Sequence, residues 1–429
     1  MSVYLSVGID VGSAFSFMSI VDPQGRVIQK PFKILHSDLA SLQRALDGIK
    51  KAEELYSMES RTFLESTGFY HFPLFYYLKE SGLEVFVINP LISHSTRNVG
   101  IRKVKNDKVD SIQIARLGLS PDLKLSVMPD DLVLELRSLT RKYYDLVDQR
   151  TSYVNQLRAG LTQAFPQFLS VFAEFTGVTA RMVLRHYPTP KHLLRARRKT
   201  LIAKMAKASH KGNERAAGWY DQLMTAARAA LVFGVPLESL YFNIQEDLDS
   251  WEHISGRINR VLQRLRELVN QHESREFVQQ VRLLESIPGV GFLSSVTVMC
   301  EIGDFRVFQK PKQLVAYFGL DPAVKESGLF KASRVHMSKR GSPTARRAIF
   351  AIALSSIGVS KKGIPVNPVM REYYQHKTHS KAKMTALGAV MHKLCKIIFA
   401  VLRDMQPFVL KTPKEHCHQY EAGWLRQSA

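Results

Sequence analysis

Four acidic residues sit where a short apolar run ends or a helix begins. Asp10 and Glu65 each close a strand-like run, in Gly8-Ile9-Asp10-Val11-Gly12 and in Leu64-Glu65-Ser66-Thr67-Gly68. Asp107 and Asp110 stand three apart in Val104-Lys105-Asn106-Asp107-Lys108-Val109-Asp110-Ser111, just ahead of the apolar Ile112, Ile114, Ala115 and Leu117. On a helix that spacing puts both carboxylates on one face. Carboxylate oxygens are the hard ligands that Mg²⁺ takes. Two such ions can stabilise the attacking and leaving oxygens of a phosphodiester. An Asp opening a helix is most often only a cap, and Asp107 alone reads as one. It is the set of four that points to a metal site.

A second group with chemical potential lies in the last third, in the loop Glu326-Ser327-Gly328-Leu329-Phe330-Lys331-Ala332-Ser333-Arg334-Val335-His336-Met337-Ser338-Lys339-Arg340-Gly341. A serine hydroxyl is a poor nucleophile until its proton is taken or its oxygen is activated. Lys331, Arg334, Lys339 and Arg340, with Arg346 and Arg347 on the helix opened by Ser342-Pro343, would stabilise charge on a phosphate under attack. Chemistry alone does not separate Ser327, Ser333, Ser338 and Ser342. Upstream, Leu284-Glu285-Ser286-Ile287-Pro288-Gly289-Val290-Gly291 reads as helix, tight turn, helix. Gly289 and Gly291 would let backbone N–H groups approach a phosphate at the next helix N-terminus, in a helix–hairpin–helix-like element.

The elements that must position these groups follow from pattern. Residues 3–9, 14–21 and 26–34 read as strands, with Asp22-Pro23-Gln24-Gly25 as a turn. Ser37 is the expected N-cap of a helix through Leu39, Leu42, Leu46 and Ile49. Thr62 to Glu65 and Glu84 to Ile88 read as further strands, around an aromatic helix from Phe72 to Leu78. The passage from Ser93 to Lys105 is polar and basic. This order predicts a mixed sheet in the ribonuclease-H-like layout, with the acids on the first strand, the fourth strand and a following helix. From Asp130 the period changes. Leu132, Leu136, Leu139, Tyr143, Leu146, Val154, Leu157 and Leu161 mark one long amphipathic helix, ended at Phe165-Pro166, and Leu237 to Leu268 mark another. Their seam is of coiled-coil type, closing either on each other or on another subunit.

The whole chain carries 60 Lys+Arg against 38 Asp+Glu, a net charge of +22, with a pI of 9.8. That balance points to a polyanionic partner, nucleic acid before membrane. The densest run, Arg181 to Arg215, holds Arg181, Arg185, Lys191, Arg195, Arg197, Arg198, Lys199, Lys204, Lys207, Lys211 and Arg215 against Glu214 alone. A charge run is usually a solvated face; one this unbalanced is expected to contact phosphate backbone. No membrane span is expected, since no apolar run reads as reaching the roughly 18 residues it takes, and no signal peptide is expected from an N-terminus without a basic region. Cys300, Cys395 and Cys417 are too scattered for a disulfide framework or a zinc site, so a reducing cytoplasm is expected. His416-Cys417-His418 has no second half and reads as tail.

These residues carry a resemblance to the DEDD-type transposases of the IS one-ten family of insertion sequences. Gly-Ile-Asp at 8–10, Leu-Glu-Ser-Thr-Gly-Phe-Tyr at 64–70 and Asn-Asp-Lys-Val-Asp-Ser at 106–111 resemble its first domain. Ile-Pro-Gly-Val-Gly at 287–291, Phe-Gly-Leu-Asp-Pro at 318–322, Glu-Ser-Gly at 326–328, Ser-Lys-Arg-Gly at 338–341, Arg346-Arg347 and Met391-His392-Lys393-Leu394 resemble its second. The resemblance implies Asp10, Glu65, Asp107 and Asp110 as Mg²⁺ ligands and Ser327 as a nucleophile forming a transient phosphoserine link to DNA at one composite site. It further implies target and donor DNA as partners and a structured non-coding bridge RNA as guide. A homo-oligomer, dimer or tetramer, assembled through the long helices and acting in the bacterial cytoplasm, is expected.

The expected architecture is therefore α/β plus all-α. Residues 1–129 form a RuvC-like catalytic domain, 130–275 a helical coiled-coil part with a basic insert, 276–410 a mainly helical transposase domain and 411–429 a tail. The main rival is a ribonuclease-H-like nuclease or Holliday-junction resolvase using water, which needs the acids but not the Ser-Gly loop. A binding protein with a decayed site and an actin-like ATPase resting on Gly8 to Gly12 are weaker alternatives.

Overall fold

The computed structural model describes residues 4–65, 69–88, 106–121, 123, 130–172, 174–323, 326–327, 330–331, 336–412, 414–415 and 418. The basic passage from Ser93 to Lys105, Ser333, Arg334 and Cys417 lie outside them. The chain divides into two compact units, Met1–Asp130 and Asp131–Ala429.

In the first unit β1 (Leu5–Val11), β2 (Phe15–Val21) and β3 (Val27–Leu35) form an antiparallel meander. The turn after β2 is held by Asp22, whose Oδ1 accepts the backbone N–H groups of Gln24 and Arg26 at 3.0 and 2.8 Å. Helix α1 (Leu39–Tyr56) is capped by Asp38, which accepts from the Ala40 amide, so the cap falls one residue later than Ser37. Then β4 (Ser60–Glu65), α2 (His71–Glu80), β5 (Glu84–Ile88) and α3 (Asp107–Gly118) follow. The sheet order is β3-β2-β1-β4-β5, with β4 parallel to β1 and β5 parallel to β4. This is the ribonuclease-H-like order expected from the sequence.

Strand periodicity divides the sheet into two faces. Leu5, Val7, Ile9, Met18, Ile20 and Leu64 pack with Ala45 and Ile49 of α1 and with Leu74, Phe75 and Leu78 of α2. The alternate residues Ser6, Gly8 and Asp10 belong to the face covered by α3. There the Ser6 hydroxyl donates to the Ala115 carbonyl at 2.6 Å, and the Ser19 and Ser111 hydroxyls meet at 2.6 Å.

The second unit is helical. Helices α4 (Asp131–Ala164) and α10 (Glu238–Gln271), 34 residues each and so about 50 Å long, pair antiparallel within the chain. Leu157 and Leu161 share a core with Ile244 and Leu248, while Leu132 and Leu136 share one with Leu265 and Leu268. Leu146, Ile254 and Ile258 fill the middle. Of the two partners open to the seam, the structure gives the intramolecular one. Between them α5 (Phe168–Val171), α6 (Val178–His186), α7 (Pro190–Leu194), α8 (Arg198–Ser209) and α9 (Gly212–Phe233) form a helical head around Phe165, Phe168 and Phe172.

The largest core joins the roots of both long helices to α11 (Glu276–Glu285), α12 (Phe292–Ile302), α13 (Pro311–Tyr317), α14 (Pro343–Ile357), α15 (Pro368–Thr378) and α16 (Lys383–Asp404). Hydrophobic packing thus runs across residue 275, where the sequence suggested a boundary. Between α13 and α14 lie the two-residue strands β6 (Glu326–Ser327) and β7 (Phe330–Lys331). Helix α16 corrects the expectation of no span-like run. By length and composition it could cross a membrane, but its buried face, including Leu387, Val390, Leu394 and Ile398, lines this core.

Candidate active site

Three of the four expected acids converge. One carboxylate oxygen each from Asp10, Asp107 and Asp110 lies within 4.8 Å of the others, with Asp110 buried and Asp107 exposed. Helix α3 makes this convergence. Its N-cap is Asn106, whose side chain accepts the Lys108 amide, which corrects the reading of Asp107 as a cap. Asp107 then occupies the first helical position, where the positive end of the helix dipole favours an anion. Asp110, one turn on, points to the same face.

The helix lies unusually close to β1. A Cβ on Gly8 would stand 2.2 Å from both the Ala115 nitrogen and the Ser111 carbonyl oxygen. Only a hydrogen at that position lets the helix backbone come down beside Asp10, two residues along the same strand face. Gly8 and the Ser19–Ser111 pair are positioning residues that spacing of acids alone did not single out. A glycine interrupting a β-branched run two residues before an acid is the signal that marks them.

Glu65 is outside this group of three but belongs to the same edge. Ile9 pairs with Leu64 in the parallel register, so the next residues, Asp10 and Glu65, end neighbouring strands side by side. Phe63, two residues earlier on β4, touches the α3 side, and Glu65 itself is buried. Hard oxygen donors from two rigid elements fit a divalent cation by ligand chemistry.

In the second unit the backbone of Ser327 pairs with Phe330, and Glu326 pairs with Lys331, in a short antiparallel hairpin. Two of the competing serines have structural work. Ser338 Oγ donates to Asp321 at 2.5 Å, and Ser342 caps α14 by accepting the Ala345 amide. Ser333 lies outside the described residues.

The cations fall into two groups. Arg181 and Arg185 form ion pairs with Glu252, and Arg185 also pairs with Asp249, so these members of the basic run brace α6 against α10. Arg195, Arg197, Arg198 and Lys199 are exposed at the start of α8, with Arg198 reaching Asp221 at 3.4 Å. Arg346 donates to the Phe318 and Gly341 carbonyls, and Arg347 pairs with Asp148 at 2.7 Å. Lys339, at φ +55°, and Arg340 are exposed. Of the two turn glycines, Gly289 has φ +102° and a Cβ there would strike Ser356 Oγ at 2.3 Å, so packing dictates it. Gly291 caps α12 and faces open space.

A mixed sheet in this order, with carboxylates gathered at the carboxyl end of its central strand, defines a ribonuclease-H-like domain carrying a helical second unit. Comparison with known proteins makes this specific. The DEDD-type IS110 transposase profile matches residues 7–166, and that of the transposase IS116/IS110/IS902 family matches residues 281–375. Together they span more than half the chain, and the protein belongs to the IS110/IS116 family of insertion-sequence transposases.

Relatives include the "Insertion element IS110 uncharacterized 43.6 kDa protein" of Streptomyces coelicolor, 23% identical over 76% of this chain and 77% of that protein. The "Insertion element IS116 uncharacterized 44.8 kDa protein" of Streptomyces clavuligerus is 23% identical over 95% and 96%. The "Pilin gene-inverting protein" of Moraxella bovis is 29% identical over 40% of this chain and 50% of its own. Among solved structures, T. thermophilus RuvC in complex with Holliday junction substrate aligns with 12% identity and a TM-score of 0.21, covering 29% of this chain and 99% of that one.

Proposed function

We propose that the protein cuts and rejoins DNA strands as an Mg²⁺-dependent recombinase that uses Ser327 as nucleophile. The observation that carries this reading is the meeting of Asp10, Asp107 and Asp110 within 4.8 Å at the end of β1. Asp10, Asp107, Asp110 and Glu65 would hold the metal, which when bound supplies charge neutralisation at the phosphate and activation of an oxygen nucleophile. Asp107 and Asp110 keep their place through the Asn106 cap and the contact at Gly8, so the carboxylates are preorganised before substrate arrives.

At Ser327 the Oγ–P bond forms as the P–O3′ bond breaks. The hydroxyl proton leaves Oγ, and the departing 3′ oxygen takes up a proton. The DNA 5′ end is then held as a phosphoserine ester until a 3′-hydroxyl from the other DNA attacks phosphorus and releases Oγ. Target and donor DNA are the substrates, a structured non-coding RNA is the guide, and a homo-oligomer is the working form. Supporting the nucleic-acid partners, the second unit holds 45 Lys+Arg against 24 Asp+Glu, a net +21, while the first holds 15 against 14, a net +1. Concentrated positive charge is what a polyphosphate surface calls for.

Denaturing electrophoresis of the protein with end-labelled DNA carrying its element ends tests the mechanism. A covalent adduct is expected from the native chain and none from Ser327→Ala. An adduct that persists in Ser327→Ala removes the nucleophile assignment; cleavage with no adduct in the native chain favours water.

A further inference from the structure

The motif Leu64-Glu65-Ser66-Thr67-Gly68-Phe69-Tyr70 leaves two aromatic residues that the metal site does not use. Phe69 is 70% exposed and Tyr70 is 39% exposed, with their rings 4.7 Å apart. Large aromatic rings in solvent call for an explanation when they stand four and five residues beyond a buried carboxylate at a strand end. Both border a cavity of about 440 Å³ whose other walls include Ser13, His36, Pro73 and Tyr77. Ser13 lies in the turn that closes β1, three residues after Asp10. His36 is tied to that turn through its backbone N–H, which donates to the Ala14 carbonyl at 3.1 Å, and to the start of β2 through Nε2 and Ser16 Oγ, 2.7 Å apart.

We infer that this cavity receives one unstacked nucleobase of the DNA strand whose phosphate the acidic cluster engages; the inference rests on the function proposed above. The acids occupy the α3 face of the sheet at the carboxyl ends of β1 and β4. The cavity lies near the same ends on the α1–α2 face, to which its lining residues Leu42 and Leu74 belong. A nucleotide laid across the strand ends would put its phosphate on one side and its base on the other. The rings of Phe69, Tyr70 and Tyr77 suit a flat π-system, which stacks on aromatic side chains whatever its sequence. Ser13 Oγ and the imidazole of His36 offer hydrogen-bonding groups to a base edge. Among the described residues the lining holds no Lys, Arg, Asp or Glu, so it offers a neutral, partly aromatic surface to a base more readily than a charged grip to a phosphate. Extracting a base from its stack is how enzymes gain access inside a duplex.

The test uses the full chain with Ca²⁺ in place of Mg²⁺ and two 30-base-pair duplexes. They differ only in one bulged nucleotide, which is intact in one and abasic in the other. The native protein is expected to bind the intact bulge about tenfold more tightly, the size of one base-stacking contact. Tyr70→Ala and His36→Ala are expected to reduce that preference to near unity, with circular dichroism confirming the fold. Phe69→Ala, at an exposed position, gives a third variant with the least expected effect on folding. Equal binding of both duplexes by the native chain, or a preference that survives in all three variants, overturns the base pocket while leaving the recombinase reading intact. No binding to either duplex, together with no adduct to element-end DNA, overturns both.

Discussion

The two units carry their charge in opposite ways. The first is almost neutral, net +1, and brings three carboxylates together at one sheet edge. The second carries net +21, spread over helices, with several cations already engaged by acids of the same chain. Chemistry at phosphorus needs groups held to a fraction of an ångström, and that demands rigid elements and close backbone contact. Holding a long polyanion needs only many cations at roughly the right height, because each phosphate contact adds a similar increment. Disturbing one residue should therefore be severe in the first unit and mild on the surface of the second.

The largest effect is expected at the acids. Asp110→Asn and Asp10→Asn should reduce strand cleavage below detection while the thermal midpoint stays level or rises, since like charges are relieved. A gel assay beside calorimetry reads both. Chelation of divalent ions should reproduce the loss in the native protein. Gly8→Ala comes next: the added methyl must push α3 away from β1. Cleavage should fall about 100-fold, the cost of a misplacement near 1 Å. If Gly8→Ala cleaves normally, close helix contact is not what positions Asp107 and Asp110.

The second unit offers the contrasting tests. Leu146→Ala, in the middle of the hairpin seam, should cost about 2–5 kcal/mol of stability in urea unfolding, with cation affinity of the acid cluster unchanged. Glu301 is a buried charge in this unit: it sits on α12 with Arg141 of α4 at 2.9 and 3.1 Å. Burial alone would raise its pKa, but the Arg141 guanidinium holds it below the usual carboxylate range. A lowered folded-state pKa contributes stability above the unfolded-state value and loses it as pH falls through the folded one. Stability of the native protein should therefore decline in acid more steeply than that of Glu301→Gln, measured as urea midpoint against pH. Smallest of all, removing Arg195, Arg197 or Lys199 singly should weaken DNA or RNA binding evenly across sequences and lower the salt slope by about one each.

The sheet and its acids were readable because their causes are local. Alternating apolar residues, the Asp22-Pro23-Gln24-Gly25 turn and carboxylates at run ends all lie within a few residues of one another. What escaped depended on distant partners. Asn106 rather than Asp107 takes the cap, a choice between two good cap residues that spacing does not make. Arg181 and Arg185 looked like part of a free basic surface, yet their acids lie about 70 residues on, in α10. Periodicity specified the seam of the long helices but not which surface would fill it. Ser338 and Ser342 resembled Ser327 until Asp321 and the α14 N-terminus gave them partners.

Whether Asp10, Asp107 and Asp110 make a divalent-cation site is decided by Mn²⁺ titration followed by electron paramagnetic resonance. The native chain should bind Mn²⁺ stoichiometrically, with Mg²⁺ competing, and Asp110→Asn should abolish that binding while leaving the protein folded. Unchanged Mn²⁺ binding in Asp110→Asn, Asp107→Asn and Asp10→Asn alike would show that these acids do not hold a cation.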